Sequence, residues 1–148
     1  MRTGFSALAA GLFILVGAGS AAIAHVRSAA DYVLSLYDPH ALGGTARYGP
    51  RLQTLWDDCE AKAKREGYAC MDFSMIVMGN DFALSDVHAV PIEIGAARAV
   101  VDARFKNFGK PTVVTYDLLR DSEGWAIDEI RSGCYVLSRA LLGELPSC

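Results

Sequence analysis

Hydrophobic positions along this chain follow three successive patterns: an apolar run, then helical spacing, then strand alternation. Phe5 to Val16 is apolar apart from Ser6 and carries no charge. Val26, Ala30, Val33, Leu34 and Tyr37 then recur three and four positions apart, which predicts a helix from Val26 to Tyr37. Asp38-Pro39 ends it, because the residue before a proline is pushed out of the α region. After a loop containing Gly43-Gly44, Gly49-Pro50 opens a second helix, with proline suited to the first helical position. Leu52, Leu55, Trp56, Cys59 and Ala63 form its apolar stripe. Lys62, Lys64 and Arg65 complement the dipole of its last turns, and Gly67 stops it.

Beyond Cys70 the period shortens. Met75-Ile76-Val77-Met78 is a short apolar run between polar punctuation, readable as a turn of helix or as a buried strand. Val87 to Ile94 is strand-like, and Pro91 within it points to a sheet edge or a bulge. Ala97, Ala99, Val101, Ala103 and Phe105 alternate cleanly with Arg98, Val100, Asp102 and Arg104, which predicts a strand with one buried face. Asn107 to Pro111 turns the chain into a β-rich stretch from Thr112 to Arg120. Asp121-Ser122-Glu123-Gly124 turns it again into a strand beginning at Trp125, with Trp125 and Ile127 on one face. Ser132-Gly133 ends that strand, and Tyr135 to Leu142 suggests a short terminal helix. Two helices, consecutive antiparallel strands and a closing helix imply an α+β fold, with one sheet face on the helices and the other partly open.

Met1-Arg2, the apolar run and the small residues Gly17 to Ala22 have the form of an export leader. Ala22-Ile23-Ala24 fits the small-x-small cleavage rule, so residues 1–24 are expected to be a signal peptide and 25–148 a single domain. The alternative is an uncleaved anchor, but the run falls short of the roughly 20 residues a spanning helix needs, and no later run approaches that length. Fourteen Lys and Arg stand against 17 Asp and Glu without any basic run, so no nucleic-acid footprint exists. Four cysteines, Cys59, Cys70, Cys134 and Cys148, all follow the leader. An even count in an exported chain points to disulfides. Cys59 with Cys70 and Cys134 with Cys148 is the favoured pairing, because each pair is close in sequence and flanks one local unit. The expected compartment is the periplasm or the exterior.

Three sets of residues are candidates for a site. Asp72 and Asp81 lie in polar segments around the Met75 run and can either project into a pocket, where desolvation raises a carboxyl pKa toward a useful base, or cap backbone N–H groups. Asp102 and Arg104 share a strand face and form either a pocket-lining ion pair or part of a solvated outer face. Tyr37, Trp56, Tyr116 and Trp125 offer aromatic walls or simple core. His25, His40 and His88 are scattered without metal-ligand spacing, and no serine triad order, phosphate loop or HExxH motif occurs. No cofactor or metal is therefore predicted.

The element order resembles the nuclear-transport-factor-2-like superfamily, whose cone-shaped sheet encloses a pocket. Within it, the chain is similar to the exported bacterial domains grouped as DUF3828. The resemblance rests on the opening helix Ala30 to Tyr37, the segment Asp72-Phe73 leading to Asn80-Asp81-Phe82, the strand Ala99 to Phe105 and the ending Gly124 to Ile130. Such domains often carry Gln before the middle Asp; Asn80 stands there, with the same amide and a shorter reach. The resemblance implies a fold and an export habit but no reaction. The expected function is binding, of a small apolar or amphipathic ligand in the cone or of a partner protein on the open sheet face. The alternatives are a small isomerase or hydrolase using Asp72, Asp81 or Asp102 as base, and a periplasmic interaction or toxin-immunity protein. Peptide mapping under non-reducing conditions is expected to show Cys59 cross-linked to Cys70 in protein recovered from an oxidising compartment; four free thiols would overturn that framework.

Overall fold

The computed structural model describes residues 27–144 and 146. The expected leader, His25 and Cys148 lie outside the described residues. Helix α1 (Ala29–Ser35) begins after Ser28, later than the Val26 that periodicity suggested. The reason is a capping box: Asp31 N donates to Ser28 Oγ at 3.1 Å and Ser28 N donates to Asp31 Oδ2 at 3.3 Å, which satisfies two otherwise orphaned amides. Helix α2 (Pro50–Glu66) has the predicted ends, Pro50 in its first turn and Gly67 as a left-handed cap whose N–H reaches Ala63 O.

The strands are β1 (Leu84–Ile94), β2 (Arg98–Asn107), β3 (Lys110–Asp121), β4 (Gly124–Ser132) and β5 (Tyr135–Val136), followed by α3 (Leu137–Leu141). They form one curved antiparallel sheet in sequence order, β1-β2-β3-β4-β5. Pro91 lies on the edge strand beside a register shift between Pro91 and Glu93, the kind of position to which proline is confined in sheets because it cannot donate to the ladder. Further shifts, between Ser85 and His88 and opposite Asp117 and Leu118 where Asp128 is the extra residue, bend β1 and β4. Met75 to Met78 is neither helix nor strand. It is a turn closed by the Ser74–Gly79 bridge, with Met78 at φ 55°, and it drives Met75, Ile76 and Val77 into the core.

Strand β4 would end the long sheet with a bare edge. Two partners cover it instead: β5 pairs with Arg131 and Ser132, and the loop before α2 forms a parallel bridge from Tyr48 to Ile127. Gly49 must approach so closely that a Cβ there would stand 3.3 Å from Leu119 Cδ1 and 3.4 Å from Ile127 O.

Helix α1 packs on β1 and β2, while α2 and α3 pack on β4. The space between is filled. Ala99, Val101, Ala103 and Phe105 of β2 are buried as their alternation predicts, together with Val114, Tyr116 and Leu118 of β3 and Trp125, Ile127 and Ile130 of β4. Tyr37 follows α1 into this core, its ring 5.2 Å from Phe105 and edge-on to Tyr116 at 6.4 Å. The Tyr37 hydroxyl donates to Ile76 O at 2.9 Å. That commits its one proton, so in the 2.9 Å contact between the two hydroxyls Tyr116 is the donor. Desolvation holds both phenols protonated well above the ordinary tyrosine range.

This one-way chain makes the two tyrosines unequal. Tyr116→Phe removes a donor and leaves the Tyr37–Ile76 bond intact, at a cost of about 1 kcal/mol. Tyr37→Phe strands both the Ile76 carbonyl and the Tyr116 hydroxyl in the core and is expected to cost roughly 2–4 kcal/mol. Urea unfolding of the two variants checks the order.

Candidate functional site

The turn between β3 and β4 gathers a polar cleft around one arginine. Arg47 lies in the Gly43-to-Gly49 loop, and its backbone is held from two sides. Its N–H donates to Tyr32 Oη at 3.0 Å, and its carbonyl accepts from Tyr32 Oη at 3.3 Å and from Ile127 N at 2.7 Å. Its side chain then reaches the hairpin. Nη2 donates to Asp121 Oδ2 and to Glu123 Oε2, each at 2.8 Å, and Nη1 to Trp125 O at 3.3 Å. Asp121 folds the turn with its other oxygen, accepting from Glu123 N at 2.8 Å. Gly124 closes the turn at φ 118°, a conformation that favours glycine.

Trp125 anchors the floor. It is buried, and its Nε1 donates to Arg27 O at 3.1 Å. The Arg120 guanidinium lies over its ring at 5.6 Å. Ser35 and Thr45 bring two hydroxyls 3.1 Å apart on the α1 side. The cleft so enclosed measures about 420 Å³, within the range of small-ligand sites. The hydrogen bond from Arg47, followed by that from Glu123 N, holds the Asp121 carboxyl below the usual carboxylate range. The same bond to Asp121 raises Arg47 further. Burial pushes the Tyr32 phenol up, opposed by its bond and charge contact with Arg47.

The residues singled out in the sequence fall in several places. Tyr37 and Tyr116 meet in the core. Asp102 and Arg104 pair at 3.1 Å on the sheet face opposite the core, where Thr115 Oγ1 also donates to Asp102 at 2.8 Å. Trp56 stacks on Tyr48 at 5.4 Å from α2 and donates to Glu60. Asp72, Asn80 and Asp81 are exposed, and their side chains hold no hydrogen bond or ion pair among the described residues. Cys59 and Cys70 are bridged, with Cα atoms 5.4 Å apart, and Cys134 is not free. Arg27, Tyr32, Arg47 and Arg120 were not among the candidates. The pairing that defines the cleft joins Arg47 to a turn 74 residues away, so no local spacing announces it.

The chain matches no protein-family model, no curated protein and no solved structure.

Because the folded pKa of Asp121 lies below its unfolded value of about 3.9, its contribution to stability is present above that value and lost as pH falls through the folded pKa. Asp121→Asn is therefore expected to lower the urea midpoint at neutral pH and to flatten its fall below about pH 4. Parallel curves for the two proteins would mean the ion pair contributes nothing.

Proposed function

We propose that this chain is an exported, non-catalytic binding domain of the nuclear-transport-factor-2-like, DUF3828-like kind, and that its small-molecule ligand sits in the cleft between α1, Arg47 and the β3–β4 turn. The observation that carries this reading is the filled interior. Tyr37, Phe105 and Tyr116 occupy the concave side of the sheet. The cleft beside it gathers Arg27, Arg47, Arg120, Asp121 and the Ser35 and Thr45 hydroxyls around one opening. A disulfide, together with the lack of any helix long and apolar enough to cross a membrane among the described residues, is compatible with an extracellular or periplasmic protein. The leader expected at residues 1–24 supports the same placement.

Two features weigh on the rival readings. A general base working near neutral pH needs its pKa raised, whereas the carboxylate at the centre of the cleft is pushed down and tied to Arg47. The sheet face opposite the core carries the ion pairs Arg98–Asp128, Arg104–Asp102 and Arg131–Asp117, which suits solvent better than an apolar protein interface.

Native mass spectrometry of protein recovered under mild conditions tests the reading. A small-molecule adduct is expected on the wild type and lost on denaturation. It should also be lost in Thr45→Trp, which fills the cleft from an exposed loop position. Bare mass for the wild type, or an adduct indifferent to Thr45→Trp, would overturn it.

A further inference from the structure

We infer that the ligand of this cleft is a small hydroxylated carboxylate, its charged head held by Arg120 and Arg27 and a hydroxyl received by the Ser35–Thr45 pair. The inference rests on the cleft being the binding site. Its first support is the distribution of arginines without a carboxylate partner. Arg47, Arg51, Arg98, Arg104, Arg131 and Arg139 each hold a carboxylate. Among the described residues, Arg27, Arg65 and Arg120 are the arginines that do not. Two of those three line this one cleft. The local carboxylates do not neutralise them, because Asp121 and Glu123 are both engaged by Arg47. Three guanidinium groups thus face two carboxylates, in a chain whose net charge is −3.

The second support is how Arg120 is presented. The guanidinium carbon lies 5.6 Å over the Trp125 ring, and the N–H donors along the guanidinium edge have no acceptor among the described residues. That edge matches a carboxylate in a two-point contact. The ring beneath fixes the side chain before the ligand arrives, which lowers the ordering cost of binding.

The third support is the hydroxyl pair. Ser35 Oγ donates to Tyr32 O at 2.7 Å, and Thr45 Oγ1 reaches Ser35 O at 3.3 Å and Ser35 Oγ at 3.1 Å. Each hydroxyl has one proton, so both are spent within the protein and the pair offers lone pairs to the cleft. Those lone pairs call for a donor on the ligand. An anion that also carries hydroxyls supplies both halves, and a bare anion supplies only one.

Amide chemical-shift titration with glucuronate, inorganic phosphate and glucose tests this. Glucuronate is expected to shift cleft amides such as Thr45 and Gly124, and to bind about ten-fold more tightly than phosphate or glucose, the order of discrimination expected from one charged hydrogen-bonded contact. Arg120→Gln and Arg27→Gln should each weaken it several-fold. Arg65→Gln, which removes an unpaired charge from the far end of α2, should not. Glucose binding as well as glucuronate overturns the charged head, and phosphate binding as well overturns the hydroxyl. Equal weakening in Arg65→Gln reduces the effect to bulk electrostatics and also overturns the assignment. If no probe shifts a cleft amide while the native adduct still depends on Thr45, the carboxylate assignment fails and the binding site stands. If that adduct is missing too, both fail.

Discussion

Ile127 exchanges both of its backbone hydrogen bonds with the loop before α2. Its N–H donates to Arg47 O and its carbonyl accepts from Gly49 N, each at 2.7 Å. The constraint behind this is general: a strand edge buried beneath other elements must find partners for its N–H and C=O groups. Strand β4 meets it with β5 at one end and this loop at the other. The rest of the cleft depends on that second contact. It fixes the Arg47 backbone against the sheet, so its side chain has one short route to the β3–β4 turn. It also delivers Gly49 to the start of α2, so the helix that carries the disulfide is registered against β4 by the same residues.

The interior and the cleft divide the polar work between them. In the core, each polar group of the aromatic cluster is answered by another: Tyr116 to Tyr37, Tyr37 to Ile76. Such a closed chain resists ionisation, since charging either phenol requires a desolvated anion and the loss of a bond. At the cleft the groups are only partly answered. Arg47 is tied to Asp121, Glu123 and the Trp125 carbonyl, but Arg120 keeps its donors and the hydroxyl pair keeps its lone pairs. A filled, self-satisfied core beside a preorganised and unsatisfied cleft is the arrangement expected of a rigid scaffold that binds at its surface.

Much of the fold was legible because its signals are local. Gly49-Pro50 and Gly67 bracket α2 where they were expected to. The alternation in β2 marks the buried face, and Pro91 marks the edge strand and its irregularity. Two local signals competed and misled. Val26 continues the helical period of α1, but Ser28 and Asp31 form a cap that starts the helix later. Met75 to Met78 reads as regular structure from its composition, but the Ser74–Gly79 bridge makes it a turn. The cleft was almost wholly illegible. Asp121 to Gly124 announces a hairpin, and nothing near it names Arg47 as the partner. Aromatic candidates such as Tyr37 and Tyr116 were identified by residue type, and type alone cannot separate a wall that faces a ligand from one that faces core.

The convex side of the sheet gives the cleft its meaning by contrast. Along it, charges find opposite partners: Asp117 pairs diagonally with Arg131 across β3 and β4, Asp102 with Arg104 along β2, and Asp128 with Arg98 and with Arg51 from α2. Each exposed pair contributes little to stability, commonly below about 1 kcal/mol. Their collective effect is on specificity, because a face whose charges already have partners offers little electrostatic attraction to a ligand. Pairing most arginines in this way leaves unpaired guanidinium charge only where an arginine has no carboxylate. Along the described chain that is the last turn of α2, where Arg65 complements the helix dipole, and the cleft, where Arg27 and Arg120 have no such structural use. An anion attracted to this otherwise acidic domain is steered toward the one concave surface on which unpaired guanidinium groups converge.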